Sequence, residues 1–171
     1  METATVTEGR QRGAGRRNGK SASEVSDLDK RIIEHLQEDG RRPFTQIAAD
    51  LGVSEAAVRA RTNRLIERGI MQVVGVTDPL KLGFQQWAMI GLRVEAGRLI
   101  EIAEEIASFP ETDYVVVTAG SYDILVECVA EDNEALLQFL SERLRKIPGV
   151  RETETFVYLR MVKQTYQWGT R

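Results

Sequence analysis

The 171-residue sequence contains a single cysteine, Cys128, and a single histidine, His35. One cysteine excludes an internal disulfide framework, and without a cluster of cysteine and histidine the chain cannot assemble a structural zinc site. Both absences fit a reducing cytoplasm, the expected compartment. No window approaches the roughly 18 to 20 apolar residues of a membrane span, and the N-terminus lacks the apolar core of a secretory signal. The chain is therefore expected off the membrane. Glycine-rich phosphate loops and nucleophile elbows are also missing. His35 falls in a helical pattern and Cys128 in an apolar strand pattern, where structural roles suit them better than catalysis. No enzymatic activity, cofactor or metal is expected.

What the sequence does have is charge, unevenly spread. Hydrophobic residues make up 42% and charged residues 29%, the mix of a globular protein with a core. The net charge of -3 divides into +2 over residues 1–26, zero over 27–76 and -5 over 77–171. Within this acidic chain four arginines, Arg59, Arg61, Arg64 and Arg68, crowd into ten residues. Such segregation points toward a polyanionic partner.

Residues 1–25 are rich in Gly, Ser and Arg and almost devoid of large apolar side chains, so they read as a disordered tail. Order is expected from Ser26, which can cap the helix "DLDKRIIEHLQED" with Asp29 at the capping-box position and a stripe of Leu28, Ile32, Ile33 and Leu36. Gly40 is expected to end it. A short helix, "TQIAADL", buries Ile47, Ala48 and Leu51; Gly52 supplies a turn; and Ser54 caps a third helix that runs to about Arg68 and stops at Gly69. Small Ala48, turning Gly52 and β-branched Val58 sit at the offsets a helix-turn-helix requires. "IMQVVGV", residues 70–76, reads as a strand completing a winged-type helix-turn-helix domain over 26–76, and 77–85 as a linker.

Beyond it the pattern is strand 86–94, helix 97–107, strand 114–120, strand 123–130, helix 133–146 and strand 154–162. The order β-α-β-β-α-β predicts an α+β chain whose second domain, residues 86–163, is a ferredoxin-like sandwich, followed by a tail over 164–171. The helices offer Leu99, Ile102, Ala103 and Ile106, and Leu136, Leu137, Leu140 and Leu144, to one side of the sheet. Ala88, Ile90, Leu92 and Val94 of the first strand face that side, whereas Trp87 and Met89 face the other. The last strand is apolar on both sides as well, with Phe156, Tyr158 and Val162 opposite Val157, Leu159 and Met161. A sheet apolar on both faces needs a second cover, so self-association is expected.

On a helical wheel the third helix turns Val58, Thr62, Leu65 and Ile66 inward and Ala56, Arg59, Ala60, Asn63, Arg64 and Glu67 outward, with Arg61 and Arg68 on the flank. An exposed helix of this composition suits the major groove of double-stranded DNA, where Arg pairs with guanine and Asn with adenine and small alanines allow close approach. Arg41 and Arg42, with Thr45 and Gln46, suit phosphates. The candidate DNA-contacting residues are thus Arg41, Thr45, Gln46, Ser54, Glu55, Ala56, Arg59, Ala60, Arg61, Asn63 and Arg64. The alternative, a solvated arginine face, stays open because Glu55 and Glu67 can pair with these arginines.

The segments "LDKRIIEHLQEDGR", "IAADLGVSEAAVRARTNRLIERGIM", "VTAGSYDILVECVA" and "LRKIPGVRETETFVYL" lie in the order and spacing of the feast/famine (Lrp/AsnC) transcription regulators, which the chain resembles over about residues 27–163. The resemblance implies an N-terminal DNA-binding domain and a C-terminal domain that forms homodimers, often assembles further into octamers, and binds a small-molecule effector, usually an amino acid. In the family the glycine-containing turn between the second and third strands of that domain lines the effector site. The matching residues are Gly120, Tyr122 and Asp123, with Thr118 and Ser121 beside them. "GSYD" read by itself is equally a tight turn. Pro43 stands where the family more often has a polar helix cap. Two other readings stay open: a DNA-packaging role, which the family also includes, and a decarboxylase of haem biosynthesis with the same two domains. An RNA-binding sheet would require aromatics on its central strands, which Val, Ile and Leu dominate.

Overall fold

The computed structural model describes residues 25–170, which leaves the expected tail outside the described residues apart from Val25. The chain divides into two compact units, one holding the described residues up to Gln72 together with the segment from Gln167, the other Val73–Tyr166.

In the first unit, helix α1 (Asp27–Glu38) starts from a complete capping box: the Ser26 hydroxyl accepts from the Asp29 amide, and the Asp29 carboxylate accepts from the Ser26 amide. It ends at an extended Asp39, one residue before Gly40. Helix α2 (Phe44–Leu51) follows Pro43, which offers no side-chain cap. Its C-terminus is closed by Gly52 at φ 67°, with the Gly52 and Val53 amides donating back to Ala49 and Ala48. That left-handed geometry favours glycine. Helix α3 (Glu55–Glu67) is capped by the Ser54 hydroxyl on the Ala57 amide at 3.2 Å. Ile32, Leu36, Ile47, Ala48 and Val58 form the shared core. Ile66, expected inward, is 42% exposed, because the core closes over Val58, Thr62 and Leu65 and leaves the next position outside.

The expected strand over residues 70–76 is absent, and with it the pairing that would make a wing. Gly69 takes φ 65°, and the Ile70 and Met71 amides donate back to Leu65, so these residues finish α3 instead of starting a ladder. Val73, Val74 and Val76 are exposed and pair with no described strand. Apolar, β-branched composition alone does not make a strand when no neighbour accepts its hydrogen bonds.

The second unit is a four-stranded antiparallel sheet in the order β2-β3-β1-β4, with helices on one face. Its elements are β1 (Gln86–Val94), α4 (Leu99–Ala107), β2 (Thr112–Val117), β3 (Ile124–Ala130), α5 (Asn133–Gln138) and β4 (Val150–Val157). Alternation fixes which face is covered. Ala88, Ile90, Leu92 and Val94 of β1 and Ile124, Val126, Cys128 and Ala130 of β3 all meet the helices. Burial pushes the Cys128 thiol up to about 12, with Asp113, Glu127 and Glu111 adding to the shift.

The boundaries of β2, β4 and α5 differ from expectation. β2 starts at Thr112 with a bulge before Tyr114 and stops at Val117, short of the expected Gly120. β4 begins four residues before Glu154, because β1 offers partners from Val94 to Ala88. Past Tyr158, whose amide still reaches Trp87, no further described ladder pair forms with β1, and Leu159 is 96% exposed. The segment after α5 widens into a π-turn over Phe139–Arg143 and then tightens over Leu144–Lys146. The wider turn advances the inward face, so Leu136, Phe139 and Leu144 are buried and Leu137, expected in the core, is exposed.

Among the described residues of this unit, no helix packs on the other face of the sheet. There Trp87 is buried against the Tyr158 ring at 5.5 Å, and the Tyr158 hydroxyl donates to Glu127 at 2.8 Å. Burial and that hydrogen bond push the tyrosine well above its ordinary range. Beside it, burial and the Glu127 carboxylate raise Asp113. Tyr114 and Phe156 remain exposed on this face.

Candidate nucleic-acid interface and ligand pocket

α3 has two faces. Val58, Thr62 and Leu65 anchor the inner one, which fixes the orientation of the rest. On the outer one, Glu55, Ala56, Arg59, Ala60 and Asn63 line a shallow concavity of about 580 Å³. The two alanines make its floor and the long side chains its walls. Arg59 is held at one end, 2.6 Å from Glu55 and 5.2 Å over the Phe44 ring. Arg64 is exposed, and no carboxylate of a described residue pairs with it.

Arg61 does something else. Its guanidinium reaches Asp29 Oδ1 at 2.9 Å and the Ser26 hydroxyl at 3.2 Å, so it bolts α3 to the capping box of α1. Burial acts to raise the Asp29 carboxyl, but hydrogen bonds from Ser26 and Arg61 outweigh it and hold the group below its ordinary value. Arg61 therefore points away from the concavity that gathers the other candidate residues. Arg42 is likewise committed internally, to Asp50 at 2.6 Å and Glu38 at 3.5 Å.

Around the start of α2, the side chains of Arg41, Thr45 and Gln46 are exposed. Pro43 provides no side-chain cap, and the first turn of α2 holds no acidic residue to offset the positive end of the helix.

In the second unit, the turn between β2 and β3 is tied together from within. Thr118 Oγ1 donates to the Tyr122 carbonyl at 2.6 Å, and Asp123 Oδ2 accepts from the Val94 amide at 2.8 Å. Gly120 and Ser121 are exposed. The Ser121 carbonyl accepts from Arg93 Nε at 2.9 Å, and the same guanidinium stands 5.8 Å over the Tyr122 ring. Tyr122 lies so close on Gly91 that an added Cβ would sit 2.6 to 2.8 Å from ring atoms. Phe156 meets its edge at 6.2 Å.

A pocket of about 570 Å³ opens beside this ring, lined by Tyr122, Arg93, Arg145, Arg151, Glu152 and Glu154 among others. Of the five residues expected at an effector site, only Tyr122 lines it. Thr118 and Asp123 shape the turn that presents Tyr122, and Asp123 spends one oxygen doing so. The arginines were missed by sequence reasoning. Their signals were Arg93, the one cation in the apolar run "QWAMIGLRV", and the alternating charges of "VRETE".

Comparison with known proteins agrees with both halves. A family model for the AsnC-type helix-turn-helix domain matches residues 25–66, and one for the Lrp/AsnC ligand binding domain matches residues 87–168. The HTH-type transcriptional regulator PF1231 of Pyrococcus furiosus is 37% identical over 146 residues, 85% of this chain and 96% of that protein. The HTH-type transcriptional regulator FL11 of Pyrococcus horikoshii is 34% identical over 142 residues, 82% and 93% of the two chains. Among solved structures, Escherichia coli AsnC shares the fold at a TM-score of 0.72 and 23% identity, over 82% of this chain and 96% of that one. The complex of NMB0573 from Neisseria meningitidis with L-Met shares it at 0.73 and 21%, over 84% and 95%. Among the described residues no helix is long and apolar enough to cross a membrane.

Proposed function

The chain belongs to the Lrp/AsnC family of helix-turn-helix transcriptional regulators, and on that premise we propose that α3 reads operator DNA while the pocket beside Tyr122 receives an amino-acid effector. The observation that carries the first half is the outer face of α3, where Ala56 and Ala60 floor a concavity between Arg59 and Asn63. Small residues let the helix approach base edges, and the flanking Arg and Asn supply the bidentate groups that distinguish guanine and adenine. Arg64 extends that reading surface. Arg41, Thr45, Gln46 and the open N-terminus of α2 meet phosphates and set the register. Ser54 and Glu55 act one step back: Ser54 caps α3, and Glu55 holds Arg59 until a base replaces it.

For the second half, Tyr122 is a rigid aromatic wall held on Gly91, and arginines beside it suit an effector carboxylate. The structurally similar Neisseria protein was crystallised with L-Met, which supports an amino acid as the effector class. The helix-free sheet face, at Trp87 and Tyr158, is assigned to a homodimer; Tyr122 packs on Gly91 of the same face, so the pocket would border that contact. A dimer presents two α3 helices to half-sites about one helical turn apart.

The test is fluorescence anisotropy of the purified protein on DNA upstream of its own gene against an unrelated fragment of equal length, across a salt series. Specific readers prefer their site by roughly 10³-fold or more at physiological salt. Equal, steeply salt-dependent binding to both fragments would sink the sequence-reading assignment.

A further inference from the structure

Resting on the effector reading above, we infer that the Tyr122 pocket selects an acidic amino acid. The ionic groups of the lining do not cancel. Arg93 is answered by Glu152 at 3.3 Å and by the Ser121 carbonyl, so it serves mainly to hold Tyr122. Among the described residues Arg145 is fixed through Nε alone, on the Thr153 hydroxyl at 3.0 Å, which leaves its two terminal nitrogens for another acceptor, and Arg151 meets an ion-pair partner, Glu95, at the long distance of 3.9 Å. Glu154 has no ion pair among the described residues.

The pocket thus offers two under-used guanidiniums and one under-used carboxylate. That set matches a molecule with two carboxylates and one ammonium. A guanidinium binds a carboxylate through paired, charge-assisted hydrogen bonds, and a carboxylate accepts from an ammonium. An amino acid with an aliphatic side chain would satisfy one guanidinium, leave the other unmet, and find only Val150 and the Tyr122 ring as apolar surface. Both arginines line the same pocket, Arg145 through its bond to Thr153 and Arg151 on the same edge strand two residues before that threonine.

The experiment is calorimetric titration of the full-length protein with each of the twenty amino acids and with glutarate. L-Glutamate or L-aspartate should bind at least roughly tenfold tighter than its own amide, since amide and acid have the same shape and differ by one charged hydrogen-bonding group. The double variant Arg145→Gln/Arg151→Gln should abolish that preference while leaving the folded protein's circular dichroism and melting temperature unchanged, because both side chains are exposed. A neutral amino acid binding as tightly as either acid, and weakened by Tyr122→Leu, would overturn the acidic selectivity and leave the effector site standing. Glutarate binding as tightly as glutamate would overturn the role given to Glu154. Binding by none of the twenty would overturn the effector reading itself.

Discussion

Replacing Arg61 with alanine should unfold the DNA-binding unit more easily without weakening its grip on DNA. Arg61 joins α3 to α1 through Asp29 at 2.9 Å and Ser26 at 3.2 Å, with side-chain exposures of 31% for Arg61 and 11% for Asp29. A charge-assisted hydrogen bond contributes about 1.5 to 3 kcal/mol, and Asp29 keeps two bonds from Ser26 after the arginine is gone, so a loss near the lower half of that range is expected, about 2 kcal/mol. For a unit of this size that corresponds to roughly 8 to 16 °C in melting temperature. Asp29→Asn should cost a similar amount, and the double variant should cost little more than either single one, with a coupling of about 1 kcal/mol or more. Acid should act in the same direction. Because the folded state depresses the Asp29 carboxyl, its contribution is fully present above the unfolded value near 3.8 and is lost as the pH falls below that through the folded value. Calorimetry of the four proteins from pH 7 to pH 2 measures all of this. A coupling indistinguishable from zero, or an Arg61→Ala protein that melts normally yet binds its operator weakly at low temperature, would refute the structural role.

Arg64→Ala should cost about 1 to 3 kcal/mol of discrimination between operator and unrelated DNA by competition anisotropy, whereas Arg41→Ala should weaken both about equally and flatten the salt dependence by close to one ion. Gly91→Ala places a Cβ 2.6 to 2.8 Å from the Tyr122 ring, so the ring must move; about 1 to 3 kcal/mol of destabilisation and a weakened effector titration are expected in the same calorimetric assay. Cys128, buried and pushed up to about 12, should resist a thiol reagent at pH 8 in native buffer and react at once in denaturant.

The helix-turn-helix was legible because its signals are local. Ser26 and Asp29 three apart, Gly52 between two apolar stripes and Ser54 before a helix each dictate a cap or turn within four residues. The four strands and two helices of the second unit were legible in order for the same reason. What failed depended on partners elsewhere. Residues 70–76 have strand composition, but Ile70 and Met71 are used to finish α3 and no described strand pairs with the rest. The start of β4 was set by where β1 ends. Leu137 was misjudged because a π-turn after Gln138 changes the helical phase, and nothing in "LLQFLSERL" marks it. In the candidate pocket, Tyr122 was pointed to by the family resemblance of the "GSYD" turn, while Arg93, Arg145 and Arg151 come from three separate stretches that only the folded sheet brings together.

The arginines of α3 show why sequence and geometry must be combined before a binding role is assigned. Side by side in "VRARTNRL", Arg59, Arg61 and Arg64 carry the same charge on the same helix. Arg59 is paired with Glu55 on an exposed surface, and exposed pairs contribute less than about 1 kcal/mol, so exchanging Glu55 for a guanine edge costs little. Arg64 has no carboxylate partner among the described residues and gives up nothing of that kind. Arg61 would have to abandon a charge-assisted bond to a carboxylate that is 11% exposed, a loss of about 2 kcal/mol that offsets most of the roughly 1 to 3 kcal/mol a base contact returns. On the proposed reading of α3, binding to DNA recruits Arg59 and Arg64 and leaves Arg61 where it is. The helix keeps its angle to α1 through the one arginine that does not leave, which lets the other two meet the groove in a fixed register.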